Sequence, residues 1–303
     1  IIEFPAYARF AQSFANTIPY SEAAGFIAKI DDEEGVDYVF NTTAHEVAHQ
    51  WWAHQVVGAN VQGATLLSES LSEYSALMVM EQEYGAEKMR RFLRYELDGY
   101  LGGRGSEVVA EMPLMYVENQ RYIHYYKGSM VMYALRDYIG EEHLNQALAR
   151  FVRDKRFQQP PYTDTIEFLA YIREAVPAEL DYVIVDMFGT ITLYANKAES
   201  ATCTRSADGN YKVTLQVEAK KLRADGQGVE TEIEIDDWID LGVFGEDDKV
   251  LFMEKRHVTE PTTKFELTVA ERPLQAGIDP YNKLIDRNAD DNVKKVVESA
   301  NGS

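Results

Sequence analysis

Near Gly189 the hydrophobic pattern of this 303-residue chain changes period. Before that point apolar residues recur at three- and four-residue steps, as Leu67, Leu71, Tyr74 and Met78 do, the spacing of a buried helix face. After it, "YKVTLQVEAKKL", "VETEIEIDDWIDLGVF", "KVLFMEKRHV" and "KFELTVAE" run as strands between the turn signals "ADGN", "ADGQG" and "GEDDK". The acidic turns lack the ligand spacing of a calcium loop and read as hairpin turns. A helix stripe and a strand alternation need different partners, so the two halves are expected to be segregated. The fold class implied is α+β: a mostly helical domain over 1–190, an all-β sandwich over 191–287, and a solvated tail over 288–303.

Within the first part, "IIEF", "GFIAKI" and "VDYVF" read as short extended stretches, separated by Pro5, Pro19, Gly25 and the turn "DDEEG". Helices are expected from Asn41 or Thr42 onward, over 65–84 with Gly85 as terminator, over about 86–100, and near 121–139, 141–155 and 164–175. A formal charge of −20 excludes nucleic acid as a partner, because its phosphates would be repelled. The one cysteine, Cys203, excludes an internal disulfide framework and a cysteine-rich zinc knuckle. No run reaches the roughly 20 apolar residues of a membrane-spanning helix. The chain opens at Ile1 without a methionine, which reads as a piece of something larger.

"TTAHEVAHQWWAH" places His45 and His49 four positions apart around Glu46. On a helix such positions share a face, with Cβ atoms about 6 Å apart, so two imidazoles can converge on one zinc ion. Glu46, next to the first ligand, is directed to the open side of the metal, where it can take a proton from water. A third ligand is needed, and "LLSESLSEYSAL" offers Glu69, 69 − 49 = 20 positions after His49 on the next helix. Glu73, one turn on, is expected either to hold a histidine ring from behind or to be a solvated helix charge. His54 falls off the ligand face and reads as structural. The bland alternative for the motif is an amphipathic helix with incidental histidines.

"HEVAHQWW" followed by a glutamate about twenty residues later resembles the glutamate-ligand zinc peptidases, and the "HQWW" continuation resembles the aminopeptidase N and leukotriene A4 hydrolase family in particular. "HYYKGSM" is similar to that family's Tyr-x-Lys-Gly segment, which implies Tyr125 as the catalytic tyrosine rather than Tyr122 or Tyr126. "TIPYSEAAGF" sits where the family has its exopeptidase motif, and Glu22 lies 45 − 22 = 23 positions before His45, which implies an amine-binding carboxylate. The chain departs from the pattern: nineteen residues rather than eighteen separate His49 from Glu69, Ser68-Glu69-Ser70-Leu71-Ser72 replaces Asn-Glu-Gly-Phe-Ala, and the Met and Asn of the exopeptidase motif are absent.

The resemblance implies a thermolysin-like catalytic domain, one zinc per chain, and removal of N-terminal residues from a peptide substrate. With "PYSEAAGF" and "GIDPYNKLIDR", the chain resembles the peptidase portion of bacterial proteins fused to a membrane permease. That implies a larger membrane-tethered protein with the peptidase domain exposed to solvent. Two rivals stand beside this reading: a zinc endopeptidase of the thermolysin type, and a peptidase-like module that binds without turnover.

Overall fold

The structure, a computed structural model, describes residues 1–30 and 36–299. The expected acidic turn at 31–35 lies outside the described residues. Contacts divide the chain into Ile1–Ile191 and Thr192–Ser303. Among the described residues no helix is long and apolar enough to cross a membrane.

The first unit opens with β1 (Ile2–Phe4) and β2 (Pro19–Ser21), paired in parallel. "GFIAKI" forms no strand: Glu22–Phe26 is a π-helical turn, capped by the Ser21 hydroxyl, which accepts from Ala23 N at 3.2 Å. "VDYVF" is also not extended, because Tyr38 to Phe40 open α1 (Tyr38–Ala48). Asp37 explains the early start. Its carboxylate accepts from Phe40 N at 2.8 Å, satisfying an orphan donor of the first turn, and takes the Tyr84 hydroxyl at 2.8 Å.

Leu66–Ser70 is a π-helical turn that runs directly into α2 (Leu71–Tyr84). Gly85, at φ 89°, ends α2, and Gly140, at φ 87°, separates α4 (Gly128–Ile139) from α5 (Glu141–Lys155). Only glycine adopts these left-handed values without strain. Between them α3 (Met89–Ser106) runs six residues past its expected end, through three glycines. After α5, α6 (Thr165–Arg173) is capped by Asp164. α2 packs on both α1 and α4. Its Leu71, Tyr74, Leu77 and Met80 are buried, as the three- and four-residue spacing requires.

The second unit holds two sheets. One runs β10-β9-β6-β7 and the other β11-β3-β4-β5, with β8 also on β4. The strands are β3 (Ile191–Arg205), β4 (Tyr211–Ala224), β5 (Glu230–Ile233), β6 (Asp237–Phe244), β7 (Val250–Val258), β8 (Thr262–Val269), β9 (Gln275–Ile278), β10 (Val293–Lys295) and β11 (Val297–Glu298). In β4, Val213, Leu215, Val217 and Ala219 are buried at every second position. The segment expected as a solvated tail departs from that expectation. β10 pairs antiparallel with β9 and β11 pairs parallel with β3, so backbone hydrogen bonds hold a stretch whose side chains are mostly polar.

Candidate active site

α1 and the π turn before α2 bring His45, His49 and Glu69 together, each offering a ligand atom within 4.8 Å of the others. Glu69 Oε2 lies 3.3 Å from His45 Nε2 and 3.5 Å from His49 Nε2. That oxygen is buried and faces both rings. The two rings meet edge to face, 4.6 Å between centroids.

The far side of each ring is held. His45 Nδ1 is 2.7 Å from Glu73 Oε2. His49 Nδ1 is 2.9 Å from the carbonyl oxygen of Trp52, which only accepts, so this nitrogen carries the ring proton and Nε2 presents its lone pair. The Ser72 hydroxyl lies 2.9 Å from the same Nδ1. Two nitrogens and one carboxylate oxygen, each ring oriented from behind, make a donor set that fits zinc.

The electrostatics agree. Burial works to lower His45, but hydrogen bonds and charge from Glu69 and Glu73 prevail and raise it to about 10. Burial works to raise Glu69, and His45 and His49 outweigh it, holding the carboxyl well below its usual range. Both shifts record the same pairing of the histidines with Glu69 and Glu73.

Glu46 is buried on α1 beside these ligands, and one of its oxygens has no partner. Burial pushes its carboxyl above the ordinary range, with His45, His49 and the Ser13 backbone N–H pulling the other way. Tyr125 stands in a second π-helical segment, Tyr122–Lys127. Its ring is 5.6 Å from that of His45. Burial first, then the charge of Glu69 and a hydrogen bond to it, keep the phenol protonated. Tyr122 and Tyr126 point elsewhere, stacking on Tyr100 at 5.8 Å and meeting Tyr95 edge to face at 6.1 Å.

Glu22 lies half-buried at the start of the turn after β2, and among the described residues nothing pairs with its carboxylate. The segment before it reaches the metal helix through Tyr20, whose hydroxyl donates to Val39 O at 3.3 Å. His54 lies in the turn beyond α1, outside the ligand cluster.

Sequence reasoning missed Gln50 and His124. Gln50 follows His49 and straps the N-terminal segment down, donating to Ser13 Oγ at 2.8 Å and Phe14 O at 2.9 Å and accepting from Asn16 N at 2.8 Å. His124 is buried beside Tyr125, and burial lowers it to about 4, so its ring is neutral near pH 7. The only sequence signal for either was adjacency to a residue already singled out.

Residues 27–188 match the Peptidase family M1 domain. No curated protein sequence matches the chain. Among solved structures, an aminopeptidase A from Legionella pneumophila, in complex with aspartic acid, is similar to this fold at 16% identity and a TM-score of 0.56, over 99% of this chain and 32% of that one. A mutant M1 zinc metallopeptidase from Deinococcus radiodurans matches at 20% identity and a TM-score of 0.45, over 61% of this chain and 38% of its own. The chain thus spans about one third of the length of the solved structures it matches.

Proposed function

The chain belongs to peptidase family M1, and from that premise we propose that it is a zinc-dependent peptidase that removes N-terminal residues from peptides. The observation that carries the reading is the cluster of buried His45 and His49 with half-buried Glu69, and with the Glu46 carboxylate and the Tyr125 hydroxyl beside it.

His45, His49 and Glu69 hold one zinc per chain, and Glu73 orients His45. When bound, zinc supplies Lewis acidity, polarising the scissile carbonyl and lowering the pKa of water to about 7. Glu46 takes a proton from the attacking water and delivers it to the leaving amine, a task suited to a carboxyl raised by burial. Tyr125 donates its hydroxyl proton to the developing oxyanion, a contact that strengthens in the transition state. The Glu22 carboxylate, unpaired among the described residues, holds the substrate's α-ammonium by a charge-assisted hydrogen bond, setting the first peptide bond at the site. Membrane tethering through a larger protein belongs to the same proposal and rests on sequence resemblance.

The experiment is cleavage of matched peptides with free and N-acetylated ends, with and without a chelator. Preference for the free amine, abolished by chelation, is expected. Equal cleavage of both would make the protein an endopeptidase, and binding without turnover would make it a non-catalytic module.

A further inference from the structure

Behind the metal ligands, on the neighbouring face of α1, lies a groove that the peptidase reading does not use. It is a cavity of about 660 Å³ between α1, α2 and α5, walled by Val47, Trp51, Met78, Val79, Leu148 and Val152. That volume lies within the range of small-molecule sites. Three of the wall residues are large, apolar and open to solvent: Val47 is 41% exposed, Trp51 47% and Val79 39%.

Among the polar groups of the lining, Ser75 and Asn145 already have partners, and the Tyr74 hydroxyl is buried without one. Ser75 Oγ donates to Leu71 O at 2.7 Å and accepts from Trp52 Nε1 at 3.1 Å. Asn145 Nδ2 donates to Glu141 Oε1 at 3.4 Å. An extended peptide laid here would bring backbone donors and acceptors against a wall with few groups left to meet them, which costs free energy for each group left unpaired. An alkyl chain brings none.

Both charged residues of the lining are arginines, Arg153 and Arg156, in a chain of net charge −20. Both are exposed. Among the described residues, Arg153 reaches only the carboxylate of its neighbour Asp154, at 3.4 Å. Among the described residues, no hydrogen bond or ion pair engages the Arg156 guanidinium, whose backbone N–H donates to Val152 O at 2.9 Å. We propose that this groove binds a single-chain amphiphile of the fatty-acid class, with the alkyl chain between α1, α2 and α5 and the carboxylate on Arg153 and Arg156. The pairing is apolar burial for the tail and charge-assisted hydrogen bonds for the head.

Trp51 and Trp52 line the groove, and the chain has three tryptophans, so intrinsic fluorescence reads occupancy directly. The titrants are laurate below its micelle concentration, dodecanol and dodecylammonium. Laurate should bind saturably at one per chain, at least tenfold more tightly than dodecanol or dodecylammonium. Arg153→Gln with Arg156→Gln should remove that tenfold preference and leave dodecanol unchanged. Ala149→Trp, at an exposed lining position that does not test the core, should block every titrant while circular dichroism stays unchanged. The assignment is overturned by absence of saturable laurate binding, by equal affinity for laurate and dodecanol, or by undiminished binding to a folded Ala149→Trp variant. It is equally overturned if light scattering shows that the signal comes from association of two chains.

Discussion

Tyr125 is one of three tyrosines within five positions, and its neighbours Tyr122 and Tyr126 are committed to α3, against Tyr100 and Tyr95. Only Tyr125 shares space with His45 and Glu69. Tyr125→Phe is therefore expected to lower kcat by about 10²–10³-fold with little change in KM, as for other oxyanion donors. Tyr126→Phe, measured alongside, should stay within a few-fold of the unmodified protein. A fully active Tyr125→Phe variant would remove the tyrosine from the mechanism. Glu46→Gln should keep its zinc and lose nearly all hydrolysis, because an amide cannot accept the proton; a variant retaining more than a few per cent of the rate would contradict its role as base. At this scale the metal cluster was legible because helix geometry fixes what i and i+4 can do. Gln50 was not, since its partners lie 36 and 37 positions away and only folding brings them near.

At the scale of elements, the two helical turns that carry Glu69 and Tyr125 are both π-helical, Leu66–Ser70 and Tyr122–Lys127. A π turn holds one residue more than an α turn, so the first of them can absorb the nineteenth residue between His49 and Glu69. Where the two turns meet, Gly128 is the close contact. A Cβ there would stand 2.2 Å from Ser70 Oγ, which is buried and tied to His124 O at 2.6 Å. Alanine would gain about 1 kcal/mol of helix propensity, but overpacking in a site that cannot yield costs about 1–3 kcal/mol. Gly128→Ala should thus lower thermal stability and weaken zinc retention, and Ser70→Gly should restore part of both. A stabilised Gly128→Ala variant would show that the two turns have room to part. The extended reading of "VDYVF" failed for a related reason. β-branched and aromatic residues favour strands locally, but Asp37 caps a helix there and Tyr84 anchors the cap.

On the scale of the whole molecule, the change of period near Gly189 shows where helices give way to strands, because each pattern can bury only its own kind of face. What it could not show is β10 and β11. These strands are held through backbone groups at sheet edges, and such pairing leaves no hydrophobic alternation to read. They end a segment containing Asp286, which is fully buried and accepts from Asn196 N and Asn288 N, both at 2.9 Å. Burial raises its carboxyl from 3.8 to about 6. Between those pH values the folded chain holds a proton that the unfolded chain has lost. Stability from this group is therefore present below pH 4 and is lost as pH rises through 6, by roughly 3 kcal/mol for about two units. Asp286→Asn should flatten that part of the melting-temperature profile between pH 4 and 6. An unchanged slope would place the titration elsewhere.

The peptidase reading depends on metal bound where α1 meets the turn before α2. Zinc content of the purified protein, measured by elemental analysis beside the His49→Ala and Glu46→Gln variants, tests this most directly. The expected result is one zinc per chain in the unmodified protein and in Glu46→Gln, and little or none in His49→Ala. Unchanged zinc content in His49→Ala would contradict it.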